Sequence, residues 1–188
     1  QQMGEIRVAG ANVNPIAEIA LARGDLAVAR RYGDETVAVA KGVNQAVALV
    51  VRARVAIAQG ESGQAERDAH EALAVAMNVA AHPMTPEALE CLAGLACDAE
   101  SHREAARLFG AADTLRRSMG GVRFTIYDDA YNVAIAAVRN ALGDSEFESA
   151  WAEGAALSVT VATHLTHVYA KLGLTSRVQL AREAARHA

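Results

Sequence analysis

Aromatic residues make up only 4% of this 188-residue chain, and proline occurs only at Pro15, Pro83 and Pro86. A sheet protein draws its cross-strand contacts from β-branched and aromatic residues in alternating runs bounded by turn residues. Such runs are nearly absent, which excludes a sandwich or barrel. Cysteine is scarce too. Cys91 and Cys97 lie six residues apart on one predicted helix, and at about 100° per residue they point away from each other. A mutual disulfide or shared metal is therefore not expected, and buried free thiols in a reducing cytosol fit the pattern. No apolar run approaches the roughly 20 residues that span a bilayer, and no signal-peptide architecture is present. A cytoplasmic protein with no membrane contact is expected.

The residue patterns of catalysis are missing as well. The six histidines, His70, His82, His102, His164, His167 and His187, show no Glu-flanked i, i+4 metal pattern. His164 and His167 share a face, but no carboxylate or thiol lies near them in sequence, so they read as side chains at the surface or beside a bound partner rather than as a metal site. Gly120-Gly121 is not followed by Lys-Ser/Thr and cannot cradle phosphates. Asp128-Asp129 reads as the acidic first turn of a helix, where the macrodipole favours negative charge. No enzyme, catalytic residue, metal or cofactor is expected.

What the chain does hold is alanine, 44 of its 188 residues. Alanine is the best helix former, and its small side chain lets helices approach closely. Apolar residues recur at three and four throughout, and helices are predicted at 12–23, 25–41, 43–59, 62–81, 85–99, 101–119, 126–142, 144–157, 159–172 and 175–187. His82-Pro-Met-Thr-Pro86 is a break, with Thr85 as N-cap and Pro86 at the first helical position. Met119-Gly-Gly-Val-Arg-Phe124 is the longest loop. Helix-ending turns recur at positions 24, 60, 100 and 143, spaced 36, 40 and 43 residues apart. A small residue follows five places later at Ala29, Ala65 and Ala105, whereas the fourth turn has Glu148 there. Glycine ends a helix in the left-handed region without a Cβ penalty, and the alanine lets the next helix pack close. The expected fold is all-α, with stacked antiparallel helical hairpins of tetratricopeptide-like type over residues 1–158. Each hairpin leaves a face that its neighbour must cover.

Formal charge is −4 but unevenly spread. Residues 159–188 carry Lys171, Arg177, Arg182 and Arg186 against Glu183, a net +3, which leaves −7 for the remainder. An acidic body with a basic end is expected where only that end meets a polyanion.

Two stretches carry family resemblances. Ala105-Ala-Arg-Leu-Phe-Gly-Ala-Ala-Asp-Thr-Leu-Arg-Arg117, Asn140-Ala-Leu-Gly-Asp144 and Phe147-Glu-Ser-Ala-Trp-Ala-Glu-Gly-Ala-Ala-Leu157 resemble the helical-repeat region that precedes the DNA-binding domain in large ATP-dependent LuxR-type regulators and cyclase-linked actinobacterial regulators. Thr160-Val-Ala-Thr-His-Leu-Thr-His-Val-Tyr-Ala-Lys-Leu-Gly-Leu-Thr-Ser-Arg177 and the residues after it resemble the recognition and closing helices of LuxR-type helix-turn-helix domains. That resemblance implies a recognition helix in the major groove and a closing helix that helps dimerisation. Thr160 would then donate to phosphate at the helix start. Ala162, Thr163, Thr166 and His167 would face the duplex, with Lys171 near the helix end and Arg177 in the first turn of the next helix. Val161, Leu165, Val168 and Leu172 form the apolar side, and Val178, Ala181 and Ala185 form a stripe that could pair with a second copy.

The scaffold and positioning helices that precede the recognition helix in that family have no counterpart here. Trp151-Ala-Glu-Gly-Ala-Ala-Leu-Ser158 runs straight into Val159-Thr-Val161. An internal deletion, an engineered sequence or an omitted stretch each explains this. Together with the start at Gln1, it reads as a fragment of something longer. The expected function is the C-terminal portion of a LuxR-type transcriptional regulator, binding DNA through residues 159–188 once the missing helices are supplied. The alternative is a helical-repeat interaction module for a protein or peptide partner, with no DNA binding of its own.

Overall fold

A computed structural model describes residues 15–78 and 84–156. The fold is all-α, and no strand occurs among the described residues. The helices are α1 (15–22), α2 (Leu26–Val39), α3 (Val43–Ala58), α4 (Ser62–Asn78), α5 (Met84–Asp98), α6 (His102–Ser118), α7 (Asp128–Leu142) and α8 (Asp144–Ala156). A 3₁₀ turn over Thr125–Tyr127 leads into α7. Consecutive helices pair as hairpins through short turns, and each hairpin packs on the next.

The turns share one chemistry. Gly24, Gly60 and Glu100 all have positive φ, at 75°, 74° and 56°. In each, the residue after the turn donates its N–H to a carbonyl five residues back: Asp25 to Ala20 at 2.9 Å, Glu61 to Ala56 at 2.8 Å and Ser101 to Ala96 at 2.8 Å. This is the Schellman arrangement, which satisfies carbonyls left over at a helix end. Ala29, Ala65 and Ala105, five residues after each turn, are fully buried. The fourth turn differs. Gly143 has φ 76° with ψ 158° and makes a single bond to the Arg139 carbonyl. The next helix is thereby rephased, so Phe147 is buried and Glu148 is exposed.

The core follows the composition. One cluster joins Leu49, Val50, Leu73, Leu89 and Leu92 with small neighbours such as Ala53, Ala69 and Ala72. A second surrounds Phe109, Val138 and Phe147. Its tightest point is the crossing of α6 and α8. A Cβ on Gly110 would lie 2.3 Å from the Trp151 carbonyl oxygen, and one on Gly154 would lie 1.9 Å from that of Arg107. Backbone therefore touches backbone, and both positions require glycine.

Two local expectations are corrected. Helix α5 begins at Met84, so Thr85 and Pro86 lie inside it rather than at its cap. Thr85 Oγ1 is buried and has no hydrogen-bond partner among the described residues. Of the two free cysteines, Cys91 is buried but Cys97 is only partly so.

Candidate functional site

Every residue the sequence singles out for DNA contact lies outside the described residues: Thr160, Ala162, Thr163, Thr166, His167, Lys171 and Arg177. So do Val178, Ala181 and Ala185 of the dimerisation stripe. What the structure does describe is the body that carries them, together with a polar seam that sequence reasoning missed.

The seam begins on α3. Arg54 pairs with Glu87 of α5, and its guanidinium lies 3.7 Å from the centroid of the Tyr127 ring. Tyr127 in turn donates its hydroxyl to Glu18 of α1 at 3.2 Å. Glu87 also accepts from Arg116, at the end of α6, at 2.9 Å. Arg116 reaches Glu90 at 2.5 Å, and Glu90 accepts from Arg123 at 2.5 Å. Arg123 finishes over the Tyr131 ring at 3.5 Å and 3.5 Å from Asp128, both on α7. One chain of ion pairs, ring contacts and a tyrosine hydroxyl thus touches all four hairpins of the described residues.

Burial decides how this seam behaves. Burial alone would push Glu87 upward, but Arg54 and Arg116 more than offset it and hold its carboxyl below the usual range. Burial pushes the Cys91 thiol up to about 11, so it stays neutral beside Arg54. The same cause raises Tyr127 to about 12, despite Arg54 beside it. Three arginines, Arg54, Arg116 and Arg123, face Glu87, Glu90 and Asp128, so the seam between α3 and α7 is closed in charge. Glu87, Glu90 and Asp128 are occupied by arginine and Glu18 by the Tyr127 hydroxyl, and no group of three or more His, Cys, Asp or Glu among the described residues could hold a metal ion. This arrangement suits mechanical coupling between hairpins rather than ligand chemistry.

A second buried pair stiffens the first half. Arg52 grips Asp68 through two bonds of 2.7 Å, and Gln64 donates to the same carboxylate at 2.8 Å. His164 and His167, read as side chains at the surface or beside a bound partner, lie outside the described residues. His70 on α4 is driven down to about 4 by burial, so it is neutral at physiological pH. A signal for the seam did exist in the sequence. Arg54 interrupts the apolar run of α3, and Glu87 and Glu90 sit three apart on an otherwise apolar helix.

The loop between α6 and α7 is fixed by the seam. Arg123 turns inward to Glu90, while its neighbours Val122 and Phe124 stand out at 89% and 62% exposure. An open surface depression elsewhere, lined by Glu100, Ser101, His102, Arg103, Glu104 and Leu142, gathers no convergent chemistry.

Against known proteins, the chain is 40% identical over 224 residues to a protein of Mycobacterium bovis named "Putative HTH-type transcriptional regulator Mb0914c". It matches two Mycobacterium tuberculosis proteins, similarly named with the designations MT0914 and Rv0890c, at the same identity. Each match takes in 91% of this chain but 25% of the relative, so the chain spans about a quarter of their length. No family model matches. No solved structure matches either. The matched span is longer than the chain itself. Ninety-one per cent of 188 residues is about 171, so of 224 aligned positions about 53 in the relatives have no counterpart here.

Proposed function

We propose that the chain corresponds to the C-terminal portion of a LuxR-type transcriptional regulator. A tetratricopeptide-like stack over residues 1–158 senses or couples, and residues 159–188 carry the recognition and closing helices. The observation that carries this reading is the match to the mycobacterial regulators. It leaves at most about 17 residues of this chain unmatched, fewer than the thirty of the C-terminal stretch, so part of that stretch lies within it. The relatives' roughly 53 additional positions agree in size with the two absent helices and their turns. On this reading Ala162, Thr163, Thr166 and His167 meet bases, and Thr160, Lys171 and Arg177 meet phosphates. The protein works in the cytoplasm, and its activity is regulatory rather than enzymatic.

A salt-titrated anisotropy measurement with random duplex DNA tests it. Lys171, Arg177, Arg182 and Arg186 allow at most four neutralised phosphates, so log K against log salt has a slope no steeper than about −3.6. Binding at low salt that weakens with such a slope supports the proposal. Absence of binding at low salt, both by this chain and once the two preceding helices are restored ahead of residue 159, overturns it in favour of a helical-repeat module for a protein partner, for which the protruding Val122 and Phe124 offer an apolar contact.

A further inference from the structure

Of the seam's three arginines, Arg54 and Arg116 stand on helices, whereas Arg123 alone reaches it from a loop. That loop is a strap from α6 to α7, entered through Gly120, at φ 65°, and Gly121. It is packed inside out. Folded proteins bury apolar side chains and leave arginine in water. Here the Arg123 side chain is 13% exposed, between the protruding Val122 and Phe124. Arg123 makes the only side-chain hydrogen bonds of residues 119–124 among the described residues.

Its socket is complete for a guanidinium. Glu90 receives one edge, with both carboxylate oxygens 3.2 Å from Nε and one of them 2.5 Å from Nη2. Asp128 lies 3.5 Å from Nη1, and the Tyr131 ring lies under the plane at 3.5 Å. Two carboxylates and an aromatic face match a planar, forked cation better than a point charge. The walls do not depend on their occupant. Arg116 holds Glu90 at 2.5 Å, and the Phe109 ring holds Tyr131 edge-on, with centroids 5.4 Å apart. Asp128 belongs to the first turn of α7.

We propose that this socket is a site for an arginine side chain of a partner polypeptide, and that the strap is an autoinhibitory latch filling it with Arg123. Closed, the latch leaves no carboxylate of the seam without a partner. Opened, it offers Glu90, Asp128 and Tyr131 together. An incoming arginine takes over the same bonds, so the exchange leaves the charge balance of the seam intact. The strap swings away on Gly120 and Gly121, small residues of the kind that often form hinges. The inference does not rest on DNA binding by this chain.

Two measurements on the whole chain test it. Arg123→Ala empties the socket, and calorimetry of that variant should show saturable binding of the peptide acetyl-Val-Arg-Phe-amide. The lysine counterpart, acetyl-Val-Lys-Phe-amide, binds about tenfold more weakly, because it lacks the fork and the stacking plane. In the parent chain, hydrogen exchange of residues 119–127 is followed by mass spectrometry with the arginine peptide at about five times that Kd. A ligand of the open form multiplies its population by one plus concentration over Kd, so exchange rises about sixfold. Exchange in α2–α4 stays as it was. No saturable binding by a folded Arg123→Ala, equal affinity for the lysine peptide, or unchanged exchange in the strap overturns the proposal. Free arginine bound as tightly as the peptide overturns the assignment to a polypeptide. Should Arg123→Ala lose its helices, exchange of the parent chain titrated with the two peptides decides alone.

Discussion

Glu100 is the one non-glycine residue with positive φ among the described residues, at 56°. It occupies the position that Gly24 and Gly60 take in the two earlier turns, with the same hydrogen-bond pattern around it. An L-residue pays roughly 1–2 kcal/mol for that conformation. Glycine avoids this strain but loses more chain entropy on folding, which returns part of the gain. Glu100→Gly is therefore expected to stabilise the protein by about 0.5–1 kcal/mol. In urea unfolding the midpoint rises and the slope stays fixed. A lowered midpoint would mean that the Glu100 side chain contributes something its exposed position does not suggest.

Among helices, identical substitutions carry opposite signs. Gly94 lies within α5, and a methyl group placed on its Cα would meet nothing within 4 Å, so Gly94→Ala gains helix propensity, about 0.5–1 kcal/mol. Gly154→Ala drives a methyl into the Arg107 carbonyl across the α6–α8 crossing. Backbone cannot step aside as a side chain does, so the cost reaches about 3 kcal/mol, the top of the overpacking range. Thermal melts of the two variants should move in opposite directions, Gly154→Ala downward by about 6–12 °C for a chain of this size. The local geometry was legible beforehand where it depends on neighbours in sequence. Turns at 24 and 60 follow from glycine chemistry, the turn at 100 from its place in the repeat, and the buried alanines after all three from their five-residue offset. The departure at Glu148 was visible too, though not its cause, the rephasing at Gly143. The start of α5 escaped because Pro86 tolerates any position in a first turn, not only the first.

Across the molecule, the seam could not be read from order alone, because its partners stand far apart in sequence. Arg54 and Glu87 are 33 residues apart, and Tyr127 and Glu18 are 109 apart. Only folding brings them together, and it leaves the seam balanced. Glu90 is its narrowest link, since both Arg116 and Arg123 depend on that carboxylate and all three side chains are at least 87% buried. Glu90→Gln keeps the shape but leaves Arg116 to share Glu87 with Arg54 and Arg123 with Asp128 alone, at a cost of about 3 kcal/mol, the low end for breaking a buried pair. The loss should fall unevenly. Arg123 fastens the α6–α7 loop, and through it the last hairpin, whereas Arg52–Asp68 holds the first half independently of Glu90. Trp151, the chain's single tryptophan, sits on α8 and reports on the last hairpin alone, while circular dichroism reports on every helix. In the parent protein the two signals should unfold together, as a cooperative unit does. In Glu90→Gln the fluorescence midpoint should precede the dichroism midpoint. Coincident transitions in that variant would show that α6–α8 packing, not the seam, carries the coupling between the ends of the stack.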